Sequence, residues 1–286
     1  PDALFHLAAQ PLVRAGYAAP YETFDVNVMG TASVLDAVRA AGRPCAVVCI
    51  TTDKCYENRE QVWGYRECDP MGGHDPYSAS KGAAEILIAS YRRSFFNPAE
   101  LARHGVQLAS ARAGNVVGGG DWAKDRIVTD MVAALAAGRP VPVRNPRAIR
   151  PWQHVLEPLS GYLALAAAML ERPGAGWCGG WNFGPASGTE IPVGELADRF
   201  VRAWGSGSWR DRSAPGQPHE AEILRLCIDK AITELGWRPR WSCGDMIART
   251  ARWYKRVLCE GADARRACEE DIQAYDAAAD PEGAQA

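Results

Sequence analysis

Short apolar runs, each closed by polar residues, punctuate this chain. Ala46-Val47-Val48-Cys49-Ile50 is followed at once by Thr51-Thr52-Asp53-Lys54. A run of that kind reads as a buried strand of a parallel sheet, apolar on both faces. Ala3 to Leu7 and Val106 to Ala111 repeat the pattern, Val141-Pro142-Val143 gives a short strand, and Trp181-Asn182-Phe183-Gly184 reads as a strand running into a turn. Helical patterns lie between them. Thr23 to Ala41 places Val28, Leu35 and Val38 on one stripe, with Gly42 just past the end. Further helices are predicted from Tyr77 through Ala89, over Ile127–Ala137 up to Gly138, and over the strongly apolar Val155–Leu170. Pro192–Trp204 follows, with proline in its first turn, and Ser242–Leu258 is expected as a last amphipathic helix.

The remaining stretches are polar. Residues from Glu57 to Pro76, with Gly64, Gly72 and Gly73, are too many for a tight connection and read as a lid or substrate loop. Gly205 to Gly216 reads as a flexible loop, and the Ala-, Asp- and Gly-rich tail from Asp276 as frayed.

Thr52 and Asp53 fall where a strand ends, and active groups of open α/β folds sit at the carboxyl ends of their strands. Tyr77 and Lys81 are four residues apart, so on a helix they share one face about one turn apart. An ammonium beside a phenol favours the phenolate, which makes the pair a candidate general base for a sugar hydroxyl. The bare Tyr-x-x-x-Lys spacing is common on ordinary helix surfaces. The Thr-Asp-Lys triplet upstream gives it weight.

Composition removes whole classes of function. The 286 residues, 47% hydrophobic and 23% charged, suit one or two globular domains with a substantial core. A net charge of −2 without a basic block gives nucleic-acid binding no support. No apolar run approaches the ~20 residues needed to span a bilayer, and the start of the chain lacks the basic segment of a secretion signal. The nine cysteines are scattered and form no C-x-x-C pair, which favours reduced, cytoplasmic thiols over disulfides or a zinc site. The five histidines show no metal-ligand spacing, so no metal is expected.

Several blocks carry a resemblance across nearly the whole chain. In order they are His6-Leu7-Ala8-Ala9-Gln10, Asn27-Val28-Met29-Gly30-Thr31, Thr52-Asp53-Lys54-Cys55-Tyr56-Glu57-Asn58 and Tyr77-Ser78-Ala79-Ser80-Lys81. Gly118-Gly119-Gly120-Asp121-Trp122, Arg150-Pro151-Trp152-Gln153-His154-Val155 and Leu235-Gly236-Trp237-Arg238-Pro239 follow. With these the chain resembles the nucleotide-sugar 4,6-dehydratases of the extended short-chain dehydrogenase/reductase superfamily. The Lys-Cys-Tyr-Glu-Asn and Gly-Gly-Gly-Asp-Trp blocks point to the branch acting on CDP-glucose.

The resemblance implies an α/β fold with a Rossmann-like, doubly wound parallel sheet and a smaller C-terminal α/β substrate region. It assigns residues 1–115 to a partial NAD-binding domain with the catalytic residues, 116–275 mainly to nucleotide-sugar binding, and 276–286 to the tail. The family's G-x-x-G-x-x-G turn, whose backbone N–H groups meet the pyrophosphate, does not occur here. The expectation is therefore a truncated chain that lacks roughly the first half of a Rossmann unit and binds the dinucleotide poorly as written.

The resemblance also implies roles. NAD would be the tightly bound cofactor, touched by Leu7, Ala8, Ala9, Asn27, Tyr77 and Lys81. Tyr77 would take the proton of the C4 hydroxyl, with Lys81 lowering its pKa and holding the ribose. Thr52 would polarise the C4 oxygen, and Asp53 would protonate the departing C6 hydroxyl. Lys54 stands where many relatives carry a glutamate as the base at C5, which leaves the identity of that base open. Gln10, Asn115, Arg126, Arg150 and His219 would contact the substrate, the arginines through its diphosphate. A homodimer is implied, built from the helix after Tyr77 and the one around Val28 to Val38. Other readings stay open: a 4,6-dehydratase of another nucleotide sugar, a 4-epimerase or decarboxylase of the superfamily, which needs no acid at Asp53, and a non-catalytic nucleotide-sensing relative. Such relatives usually lose the Tyr-Lys pair that this chain keeps.

Overall fold

The computed structural model describes residues 1–214 and 222–278. It divides into two compact units. The first comprises Pro1–Gly114, Leu159–Phe183 and Leu224–Trp237, and the second Asn115–Pro158, Gly184–Ile223 and Arg238–Ala286.

The first unit is built on a four-stranded parallel sheet. Its strands are β1 (Ala3–His6), β2 (Cys45–Ile50), β3 (Val106–Ala113) and a fourth at Gly180–Phe183, in that spatial order. Leu4 lies opposite Val47, Val47 opposite Leu108, and Ala111 opposite Trp181. Val47, Val48, Leu108 and Trp181 have no exposed surface, as continuous apolar strands of a doubly covered sheet require. The fold is α/β with a parallel sheet of Rossmann type. Against the sheet pack Leu35 and Val38 of the helix Gly30–Ala41, and Ile88 of the helix Pro76–Ser94. The latter helix opens on an Asp75 cap, whose carboxylate accepts from Ser78 N at 3.0 Å, with Pro76 at the first position.

The helix expected over Thr23–Ala41 is not continuous. A short helix, Pro20–Phe24, leads into one π turn, Asp25–Met29, before Gly30–Ala41 resumes regular geometry. The wide turn coincides with hydroxyls that bond back along the chain: Thr31 Oγ1 donates to Asn27 O at 2.7 Å and Ser33 Oγ to Met29 O at 2.9 Å. Asn27 is buried at the centre of that turn. The connection from Glu57 to Pro76 is anchored along its length. Glu57 N donates to Pro70 O, Tyr65 N to Arg225 O, and Gly72 N to Cys55 O, at 2.8–3.0 Å.

The second unit has its own core, in which Met131, Val141, Val143, Leu196, Phe200, Trp253 and Tyr254 are all but inaccessible. The helices Ile127–Ala136, Val193–Trp204 and Cys243–Cys259 supply most of it. Three small strand pairs complete it: Val116–Val117 with Gln153–His154, Val141–Val143 with Trp209–Asp211, and Ile149–Arg150 with Ile191–Pro192. Two expectations are corrected. The presumed loop after Gly205 contains the strand Trp209–Asp211, fixed where the Trp209 indole donates to Asp198 Oδ1 at 2.7 Å. Ser242–Leu258 is not the last helix, because Ala264–Ala277 follows, capped by Asp263. Its apolar stripe is thin, and Arg265–Glu269 and Arg266–Glu270 pairs four residues apart support its surface. Among the described residues no helix is long and apolar enough to cross a membrane.

Candidate active site

The carboxyl end of β2 turns sharply into a single 3₁₀ turn, Asp53–Cys55. Thr52 caps it: its hydroxyl accepts from Lys54 N at 3.4 Å and donates to Asp53 Oδ1 at 3.0 Å. Lys54 Nζ reaches the same oxygen at 3.4 Å. The Asp53 side chain is wholly buried, and its second oxygen, Oδ2, carries no hydrogen bond. A buried carboxyl oxygen without a partner is costly unless something else engages it.

The helix Pro76–Ser94 packs against this turn, and the close approach depends on Gly82. A Cβ there would stand 2.3 Å from Gly72 O and 3.2 Å from Cys55 O. Tyr77 and Lys81 lie one turn apart and are both buried. Lys81 Nζ donates to Ile50 O, the last carbonyl of β2, at 3.3 Å. Burial pulls the Lys81 ammonium down to about 8, with Glu85 opposing the change. Tyr77 and Asp53 thus belong to one unit, on a helix and a turn that touch.

Beside them runs the segment after β1, in which Leu7 and Ala8 are exposed. Asn27 fastens it to the Tyr77 helix. Its Oδ1 accepts from Gln10 N at 2.8 Å, while its Nδ2 donates to Gln10 O at 3.1 Å and Ser80 Oγ at 2.8 Å. The Gln10 side chain is itself held, donating to Thr23 Oγ1 at 2.8 Å and accepting from Leu12 N at 2.6 Å. His6 Nε2 lies 3.1 Å from Thr31 Oγ1; burial, then the nearby Lys81 charge, holds its pKa below the ordinary range.

Sequence reasoning passed over the polar cluster beneath this surface. Glu85 accepts from Thr51 Oγ1 at 2.5 Å, Ser110 Oγ at 2.8 Å, and Arg112 Nε and Nη2 at 2.9 and 2.7 Å. Arg112 Nη1 donates to Tyr56 OH at 2.7 Å, and that hydroxyl donates to Asn182 Oδ1 at 2.7 Å. Burial alone would raise the Glu85 pKa, but the Arg112 charge and the hydrogen bonds hold it below the ordinary carboxylate value. The available signal was Glu85 four residues beyond Lys81, on the same stripe.

In the second unit, the Arg150 side chain is buried, with Nη1 on Ile149 O at 2.9 Å and Glu222 O at 3.2 Å. The Asn115 Oδ1 is buried without a hydrogen bond. Arg126 is paired to Asp121 at 2.7 Å, and Tyr254 OH donates to Asp121 O at 2.6 Å. Crowding accounts for Gly119 of the Gly-Gly-Gly-Asp-Trp block, because a Cβ there would stand 2.0 Å from the Trp253 ring. His219 lies outside the described residues.

The first unit's residues fit a bound NAD. Leu7 and Ala8 are exposed at the carboxyl edge of β1, where open α/β sheets take dinucleotides. Lys81 spends one hydrogen bond on Ile50 O, and an ammonium carries three donors.

Residues 1–174 match the family model described as GDP-mannose 4,6 dehydratase. A CDP-glucose 4,6-dehydratase of Salmonella typhimurium is 51% identical over 255 residues, which cover 89% of this chain and 71% of the relative. A dTDP-glucose 4,6-dehydratase of Streptomyces antibioticus is 30% identical, over 89% of this chain and 70% of the relative. Among solved structures, a dTDP-glucose 4,6-dehydratase of Streptomyces venezuelae with NAD bound superposes with a TM-score of 0.76 at 25% identity, covering 91% of this chain and 76% of that one. By the match over residues 1–174 and the 51% identical relative, the chain belongs to the GDP-mannose 4,6 dehydratase family.

Proposed function

We propose that the protein is a hydro-lyase that converts CDP-glucose to CDP-4-keto-6-deoxyglucose and water. The observation that carries the reading is the packing of the Tyr77–Lys81 helix onto the turn that holds Asp53. A base for the C4 hydroxyl and an acid for the C6 hydroxyl are both needed on one hexose, and a simple dehydrogenase has no use for the second.

Tyr77 accepts the C4 hydroxyl proton, with the Lys81 ammonium one turn away stabilising the phenolate. Leu7, Ala8 and Ala9, with Tyr77 and Lys81, would hold NAD, which when bound would supply the acceptor for the C4 hydride and its return to C6. Asn27 serves that segment from behind, since its amide is committed to Gln10 and Ser80. The C4 ketone acidifies the C5 proton, so water leaves across C5 and C6. Asp53 protonates the departing hydroxyl, and its unbonded Oδ2 is the oxygen left to do so. Thr52 and Lys54 hold the other oxygen. Arg150 and Asn115, with Arg126, are the groups assigned to the substrate diphosphate.

The choice of CDP-glucose rests on the 51% identical relative. Incubating the NAD-loaded protein with CDP-, dTDP-, GDP- and UDP-glucose and reading the alkaline absorbance of the 4-keto product tests reaction and substrate together. Product from CDP-glucose alone is expected, and turnover confined to another nucleotide sugar would overturn the reading. A homodimer is part of the proposal. Met29 and Ile86 stand 57% and 63% exposed next to and on the two helices implied in dimer formation. Light scattering should give about twice the chain mass, and Ile86→Arg should halve it.

A further inference from the structure

Tyr77, Lys81 and Glu85 follow one another at four-residue spacing on the helix Pro76–Ser94, so their side chains form one stripe. The stripe grips the end of β2 at two consecutive residues. Lys81 Nζ holds Ile50 O at 3.3 Å, and Glu85 Oε1 holds the Thr51 hydroxyl at 2.5 Å. Thr52 and Asp53 come next in the chain. Glu85 has no freedom to leave, because Ser110 and two nitrogens of Arg112 occupy its carboxylate within 2.9 Å.

The groups that act on the Lys81 charge come from three elements besides its own helix. Cys49 lies on β2, Cys55 on the 3₁₀ turn, and His6 at the end of β1. Burial raises both thiols, Cys49 to about 12 and Cys55 well above its ordinary value, so neither carries charge at neutral pH. Burial and Lys81 itself hold His6 below its usual range, which favours its neutral form. Among these groups Glu85 is the one that stays charged. A buried ammonium without a fixed counter-charge gives up its proton.

We propose that Glu85 is a positioning residue of the reaction: locked by Arg112, Ser110 and Thr51, its carboxylate is the permanent counter-charge that keeps Lys81 an ammonium beside Tyr77. The role of Lys81 toward Tyr77 rests on the function proposed above. The effect of Glu85 on Lys81 does not.

The test uses the full protein and two readouts. Removing Glu85 alone orphans a buried guanidinium, so the main variant is E85Q/R112M, which removes Glu85 and Arg112 together and leaves Lys81 as the group that loses its counter-charge. The first readout is the melting temperature against pH without substrate or cofactor. Lys81 binds its proton less well folded, at about 8, than unfolded, at about 10.5. Wild-type stability should therefore climb as pH rises through that window, and K81M should lack the climb. In E85Q/R112M the climb should begin about one pH unit lower or more, whereas E85D, which keeps the charge, should move it less. A double variant whose curve superimposes on the wild type overturns the proposal. The second readout is the basic limb of the kcat profile with the NAD-loaded protein, which should move down by the same amount in the double variant. An unmoved limb with a shifted melting curve would confine Glu85 to charge control and overturn its part in the reaction. Tyr77→Phe separates this from the parent reading: an active Y77F defeats Tyr77 as the base and leaves the melting result standing.

Discussion

Asn27 Nδ2 donates to Ser80 Oγ at 2.8 Å, and through that bond the π turn Asp25–Met29 is tied to the helix that carries Tyr77 and Lys81. The same amide brackets Gln10 by its N–H and its carbonyl, so one buried side chain fixes the segment after β1 and the Tyr77 helix together. Asn27→Ala should leave these buried partners unsatisfied and cost about 2–4 kcal/mol in urea unfolding. NAD affinity should fall alongside, since the segment proposed to hold the cofactor loses its register. Unchanged affinity with lowered stability would limit Asn27 to the fold.

Asp53 offers a cleaner separation of chemistry from stability. Its Oδ2 is buried without a hydrogen bond, so Asn at this position sacrifices no protein contact from that oxygen. Asp53→Asn should keep the melting temperature within a few degrees of wild type and bind CDP-glucose about as well. It should lower kcat by about 10²–10⁴-fold, the usual worth of a positioned proton donor. Calorimetric titration and product assay on the same preparation check both halves. Near-normal turnover would remove Asp53 from the reaction.

Gly82 sets local propensity against packing. In a helix interior alanine is favoured over glycine by about 1 kcal/mol. Here the added methyl would meet Gly72 O at 2.3 Å and Cys55 O at 3.2 Å, and Gly72 N is bonded to Cys55 O at 2.8 Å. Forcing these backbones apart costs about 1–3 kcal/mol and disturbs the turn that carries Asp53. Gly82→Ala should therefore lower both stability and turnover. A gain in melting temperature would show that propensity wins and that the contact can yield.

These three positions show what could be read from the chain and what could not. The sheet was legible because Val47, Val48 and Leu108 belong to apolar runs that make sense only when covered on both faces. Tyr77 and Lys81 were legible because four-residue spacing is fixed by helix geometry. The break at Asp25–Met29 was not, because the hydroxyls of Thr31 and Ser33 choose backbone carbonyls over solvent only once the turn exists. The Glu85–Arg112 pair escaped for a related reason. Its partners are brought together from Thr51, Ser110 and Tyr56 by the sheet, and no local pattern announces a contact across 27 residues. Ala264–Ala277 was missed because its support is surface ion pairing rather than an apolar stripe.

The second unit carries its own acid sensitivity. His154 is buried with its ring edge-on to Trp241, centroids 4.8 Å apart, and its Nδ1 accepts from Leu156 N at 3.3 Å. Burial, then the charge of Arg249, pulls its pKa from 6.5 down to about 4. The folded state thus binds the proton less well than the unfolded chain between those values. The stability owed to neutral His154 is complete above about pH 6.5 and is lost progressively as pH falls toward 4. At 1.36 kcal/mol per unit the loss amounts to roughly 3 kcal/mol. His154→Asn keeps an acceptor near Leu156 N and removes the titration. Guanidinium unfolding of both proteins at several pH values across this window should show a shallower decline in the variant, while the shifted His6 contributes equally to each. Parallel declines would mean that His154 is already protonated in the folded protein and that the ring has found a partner for the charge.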